Sequence, residues 1–228
     1  MTTKTGRKTA RSGKTGRSTD KAAVRALLEH QPHTYAAEAG IRLRNTPAPL
    51  YQMLVLATLL SARIKADTAV AAARALFDAG FRSPRSMADA TWQQRVDALG
   101  EGGYRRYDER TSTMLGEGAE LVLERYGGDL RRLREEPDPR AALLDVPGIG
   151  PTGADIFLRD VQSVWPEFAP YIDDKARDGA RRLGLPTTPG KLGGLVDERE
   201  LPRLVDGLVR TAPDKAFADE VRAAARAV

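Results

Sequence analysis

The chain has 228 residues, 41% of them hydrophobic and 6% aromatic, enough for one large domain or two small ones around a real core. It contains no cysteine, which excludes disulfides, thiolate zinc sites and a cysteine-ligated iron–sulfur cluster. The net charge is +5, but Lys4, Arg7, Lys8, Arg11, Lys14 and Arg17 supply six cations before the first acid, so the remainder stands at −1 and any anion-binding surface on it must be a local patch.

Residues 1–20 repeat KTGR at Lys4–Arg7 and Lys14–Arg17 in a Gly-, Ser- and Thr-rich stretch. Such a composition cannot bury apolar surface and predicts a disordered basic tail, either phosphate-seeking or merely solubilising. Ser18, Thr19 or Asp20 can cap a helix running to about His33, and residues 34–48 read as irregular with a short helical piece. Pro49 opens LYQMLVLATLLSARI, apolar on most sides and so expected at the centre of a bundle. Asp67 begins a helix ended by Gly80, Ser83–Pro84 begin a short one, and Thr91 begins the next, to Leu99. The glycine turn GEGGYRRYDERT enters a long helix from Tyr104 to Tyr126, stopped by Gly127 and Gly128. Asp129 caps a short helix, and Pro137 and Pro139 break the chain. Further helices are expected at 151–164, 173–183, 197–212 and 214–227. No alternating β-branched run suggests a strand, so the expected fold is all-α with short connections. No apolar run approaches the ~20 residues of a membrane helix, and the N-terminus has no apolar signal core. A soluble cytoplasmic protein is expected.

The most informative stretch is LLDVPGIGPTGADIF, Leu143 to Phe157. It reads as a short helix, a glycine hairpin and a second helix, with Pro151 suited to a first helical turn. Main-chain amides at such a helix start favour a phosphate oxygen. About twenty residues on, Asp173 in FAPYIDD supplies a carboxylate. It is either a reacting group or the cap of the helix beginning near Asp174. Asp174 reads as a first-turn acid, and Lys175 as a solvated or phosphate-touching lysine. Arg63 is either a contact to a ligand or a surface arginine ending an apolar helix. Tyr104 and Tyr107, with Arg105 and Arg106, could line a pocket or form a core edge. Tyr171 is a further pocket candidate. Trp92 and Trp165 are expected to be packing residues, and His30 and His33 lack companions for a metal site.

These residues resemble the helix–hairpin–helix DNA glycosylases, the superfamily that includes endonuclease III, the adenine glycosylases and the 3-methyladenine glycosylases, over roughly residues 50–185. Leu59–Ala62 looks like the LLSAQ segment, with Arg63 at the glutamine that fills the gap left by a flipped base. Asp67 matches the acid of the ATD triplet with one residue inserted, Val146–Gly150 the LPGVG hairpin, and Ile172–Asp173 the VD pair with the essential aspartate. The lysine of the strand-cleaving members is replaced by Thr152, the cluster cysteines are absent, and Pro151 stands where an arginine is frequent.

The resemblance implies a glycosylase-like fold with lobes at 49–148 and at 21–48 plus 149–228. Its site residues would be Asp173 as catalyst, Gly148, Gly150, Thr152, Arg63 and Lys175 as DNA contacts, and Tyr171 and Tyr104 at the base pocket. The absent cysteines rule out an iron–sulfur cluster, and the resemblance leaves room for a monovalent cation at the hairpin. The implied partner is double-stranded DNA, bound by a monomer associated with the nucleoid, and the implied activity is base removal by water. A non-catalytic DNA-binding protein and a helical protein-interaction domain are the competing readings.

Overall fold

The computed structural model describes residues 9–227, with side chains from residue 18 onward. The expectations for Lys4, Arg7 and Lys8, and for the side chains of Arg11, Lys14 and Arg17, lie outside the described residues. Among the described residues every regular element is helical, and no helix is long and apolar enough to cross a membrane.

The α-helices in chain order are α1 (Thr9–His30), α2 (Tyr35–Glu38), α3 (Pro47–Leu60), α4 (Ala66–Asp78), α5 (Pro84–Asp89), α6 (Trp92–Glu101) and α7 (Asp108–Tyr126). There follow α8 (Pro139–Leu144), α9 (Pro151–Val161), α10 (Asp174–Leu183), α11 (Pro189–Gly193), α12 (Leu201–Thr211) and α13 (Lys215–Arg226). Short 3-10 turns at Leu130–Glu135, Pro166–Phe168 and Glu198–Glu200 link them.

Several sequence expectations are corrected. α1 begins at Thr9 rather than at 18–20 and ends at His30 rather than His33. Once a helix is nucleated, each further residue adds one hydrogen bond, so the Ser18–Asp20 cap signal is overrun. α3 begins at Pro47 and stops at Leu60, because the chain turns at Ser61 and the Ile64 amide bonds the Ala62 carbonyl at 2.9 Å. Arg63 therefore sits in a turn, not on a helix. The long helix starts at Asp108 rather than Tyr104, since residues 103–107 complete the glycine turn. The predicted helix over 197–212 begins at Leu201 after a 3-10 turn, and α11 was not foreseen.

The described residues form two compact units, 35–169 and 9–34 with 170–227. The division falls at 34/35 and 169/170 rather than at 48/49 and 148/149. The physical reason is that α9 packs on α3 and α8, which keeps the whole hairpin and both its helices in one unit.

In the first unit α3 is the axis. Leu50, Tyr51, Met53, Leu54, Val55, Leu56, Ala57 and Leu59 are all buried, and α4 and α9 lie against it. Burying one such leucine is worth about 2 kcal/mol, which explains a helix apolar on every face. Trp165 is buried as expected and its indole N–H donates to Asn45 Oδ1 at 3.0 Å. Trp92, expected to pack, is instead 41% exposed at the first position of α6.

In the second unit α1, α10, α12 and α13 pack together. The backbones of α10 and α12 approach so closely that a Cβ on Gly179 would lie 1.9 Å from the Leu208 carbonyl oxygen. Only glycine fits there, and this contact seats the helix that begins beside Asp173.

Candidate nucleic-acid interface

The hairpin begins with a type II turn. Pro147 occupies its second position and Gly148 its third, at φ +87°, and the Ile149 amide donates to the Val146 carbonyl at 2.9 Å. Gly150 then caps α9 in extended geometry, its carbonyl accepting from the Ala154 amide at 3.0 Å. A glycine cap brings no side-chain acceptor to the first turn. The amides of Thr152 and Gly153 lie in that turn, where a helix offers them no carbonyl, and Pro151 has no amide to offer. The helix dipole adds partial positive charge at the same end.

The hairpin is braced from both sides. Arg140 on α8 donates to Asp155 on α9 at 3.0 Å. Arg125, near the end of α7, donates to Asp145 at 2.7 Å and to Glu136 at 3.0 Å. The Asp145 carboxylate stands one residue before the turn, so its pairing removes a negative charge from the mouth of the hairpin.

The turn opens onto a cavity of about 660 Å³. One wall is the hairpin itself, from Leu144 to Gly150. Another wall is the face of α7 that carries Arg110, Thr111 and Met114, with Tyr107 just before the helix, at the i, i+3, i+4, i+7 spacing of one helical stripe. Ser61, Ala62 and Arg63 close the end. Gly148, Gly150, Arg63 and Tyr104 of the expected site residues thus line one space. Thr152 is exposed on the first turn of α9.

Tyr104 contributes an edge rather than a free ring. It is buried, its hydroxyl lies 3.2 Å from Thr111 Oγ1, and burial pushes its phenol above the ordinary value, partly offset by that hydrogen bond. The half-buried Tyr107 and the exposed Arg110 reach the cavity more openly. Arg110, Met114 and Leu144 were not singled out by the sequence. The stripe they share with Tyr107 and Thr111 is the signal for the α7 pair, and the 40% exposure of Leu144 has no sequence signature.

Asp173, Lys175 and Tyr171 belong to the second unit. Asp173 is half-buried in extended conformation as the N-cap of α10, and its Oδ1 accepts from the Ala176 amide at 2.8 Å. The capping reading of Asp173 therefore holds, and capping does not exclude a second role. Asp174 is the first residue of α10 and pairs with Arg177 at 2.7 Å, as a first-turn acid should. Lys175 is exposed and Tyr171 is half-buried two residues before Asp173.

No group of three or more His, Asp or Glu side chains suited to a metal ion occurs among the described residues. With no cysteine in the chain, the donor set does not fit an iron–sulfur cluster.

No protein-family model and no curated protein matches this chain. Solved structures do. A trapped endonuclease III–DNA covalent intermediate, in an estranged-adenine complex, matches over 85% of this chain and 84% of its own with TM-score 0.52 and 16% identity. A non-covalent endonuclease III–DNA complex matches over the same shares with TM-score 0.53 and 16% identity. The chain has the all-α helix–hairpin–helix fold of endonuclease III.

Proposed function

We propose that this chain is a monofunctional DNA glycosylase, which hydrolyses the N-glycosidic bond of a damaged or mispaired base in double-stranded DNA. The observation that carries the proposal is the glycine-capped start of α9, whose first-turn amides stand beside the type II turn and a 660 Å³ cavity lined in part by Arg63 and Arg110. That volume falls in the range of small-molecule sites and suits a nucleoside.

In this reading the amides of Gly150 and Thr152 hold a backbone phosphate. The target base leaves the stack at a cost of roughly a few kcal/mol. As the bond from C1′ to the base nitrogen breaks, positive charge develops on the sugar. The Asp173 carboxylate stabilises that charge and takes a proton from the attacking water, whose oxygen bonds C1′ while the base leaves with the bonding pair. Thr152 offers a hydroxyl where strand-cleaving relatives carry an amine, so no Schiff base forms there and water is the nucleophile. A monovalent cation on the hairpin carbonyls would offset phosphate charge without any further side chain. The protein would act as a monomer on nucleoid DNA.

The test is a panel of duplexes carrying uracil, oxidised or alkylated bases, with alkali revealing abasic sites. Release of at least one base by the wild type and loss in Asp173→Asn supports the proposal; no release from any duplex refutes it. Borohydride is expected to trap no adduct on abasic DNA. A second reading, DNA binding without chemistry, is favoured by the engagement of Asp173 as a helix cap. It predicts equal DNA affinity for wild type and Asp173→Asn, with no base release by either.

A further inference from the structure

We infer that the cavity between the Arg63–Lys65 turn and the Arg105–Arg106 turn is a second phosphate site, which grips the nucleic-acid backbone separately from the hairpin amides. The inference rests on the nucleic-acid reading of the hairpin but not on base removal. The cavity measures about 470 Å³. Arg63, Lys65, Arg105 and Arg106 line it, and no carboxylate does. Each of the four is exposed, and none takes part in an ion pair among the described residues. Elsewhere Arg125, Arg131, Arg134, Arg140 and Arg177 each hold a carboxylate. In a body whose net charge is slightly negative, four unpaired cations around one hollow repel one another and gather counterions. A phosphodiester entering the hollow releases those counterions.

The cations are mounted on ordered backbone. The Ala62 amide bonds the Leu59 carbonyl at 3.3 Å and the Ile64 amide the Ala62 carbonyl at 2.9 Å, fixing the first turn. The Tyr104 amide bonds the Leu99 carbonyl at 2.9 Å and the Arg105 amide the Gly103 carbonyl at 3.1 Å, fixing the second. Arg106 lies 5.2 Å over the Tyr107 ring. Arg63 and Tyr104 line this cavity and the hairpin cavity alike, so the two share a wall. A strand seated on the hairpin amides and continuing past Arg63 enters the second hollow.

A free phosphate or mononucleotide has the same chemistry, and the test separates it from duplex backbone. Duplex affinity is measured from about 50 to 200 mM salt, where each phosphate neutralised contributes about 0.9 to the log–log slope. The double variants Arg105→Gln/Arg106→Gln and Arg63→Gln/Lys65→Gln should each flatten the slope by about 1 to 2 and weaken binding about tenfold or more near 100 mM. Arg105→Lys/Arg106→Lys should restore the slope. Arg74→Gln/Arg85→Gln, the same charge change at exposed residues lining neither cavity, should leave it unaltered. Unchanged slopes in both cavity variants, with wild type still bound, would overturn the inference alone; so would calorimetric binding of a deoxynucleoside monophosphate that the variants lose while their duplex slope is retained. A wild type that binds no duplex would overturn the hairpin reading as well.

Discussion

Gly148 and Thr58 meet so closely that a Cβ on Gly148 would stand 2.9 Å from Thr58 Cγ2. The hairpin is thus pressed onto α3 at the residue whose φ of +87° makes the turn. Gly148→Ala should destabilise the protein by about 2–4 kcal/mol, combining left-handed strain with overpacking. Thr58→Ser removes the offending methyl but keeps the hydroxyl that donates to the Leu54 carbonyl at 3.0 Å. In the Gly148→Ala background it should restore about 1 kcal/mol. Denaturant unfolding of the four proteins in the cycle measures both effects.

Gly150 behaves differently. Its φ is −96° and a Cβ there would meet nothing within 4 Å. Gly150→Asp should keep or slightly raise stability, by a few tenths of a kcal/mol, since aspartate is a better N-cap and suits the helix dipole. The same carboxylate would occupy the phosphate position, so duplex affinity should fall at least about tenfold. Unfolding and binding measured on one preparation would show stability and affinity moving apart.

Asp173 holds the first turn of α10 through the Ala176 amide. Asparagine caps about as well as aspartate, whereas alanine costs about 1 kcal/mol. Asp173→Asn should therefore unfold like the wild type, and Asp173→Ala about 1 kcal/mol earlier. Calorimetry distinguishes them, and identifies Asp173→Asn as the variant fit for reading chemistry.

Arg95 is buried, donating to the Ser112 carbonyl at 2.9 Å, the Met87 carbonyl at 2.9 Å and the Ala90 carbonyl at 2.7 Å. Burial lowers its pKa, opposed by Tyr51 and Glu120. Arg95→Ala removes three buried side-chain hydrogen bonds and leaves a cavity, and should cost about 3 kcal/mol or more. Thermal unfolding checks this.

Local signals were legible in the sequence and long-range ones were not. Ser83 and Thr91 begin the helices expected of them, each through a capping box, with Ser86 and Gln94. Gly127 ends α7 at φ 61°, and the PGIG bend follows from proline and glycine at fixed turn positions. Arg95 gave no such warning. It follows two glutamines on an exposed helix start, and its acceptors lie on α5, α7 and the segment between α5 and α6. Arg63 and Lys65 share a hollow with Arg105 and Arg106 only because α4 and α6 fold together. Periodicity read Ile64 as the end of an apolar helix, whereas its amide closes a turn onto Ala62.

The account rests most directly on single-turnover base release by wild type and Asp173→Asn, compared at matched fractions of bound duplex. It predicts equal binding and a rate at least about a hundredfold lower in the variant, the scale of losing a positioned acid–base group. Equal rates at equal occupancy would contradict it.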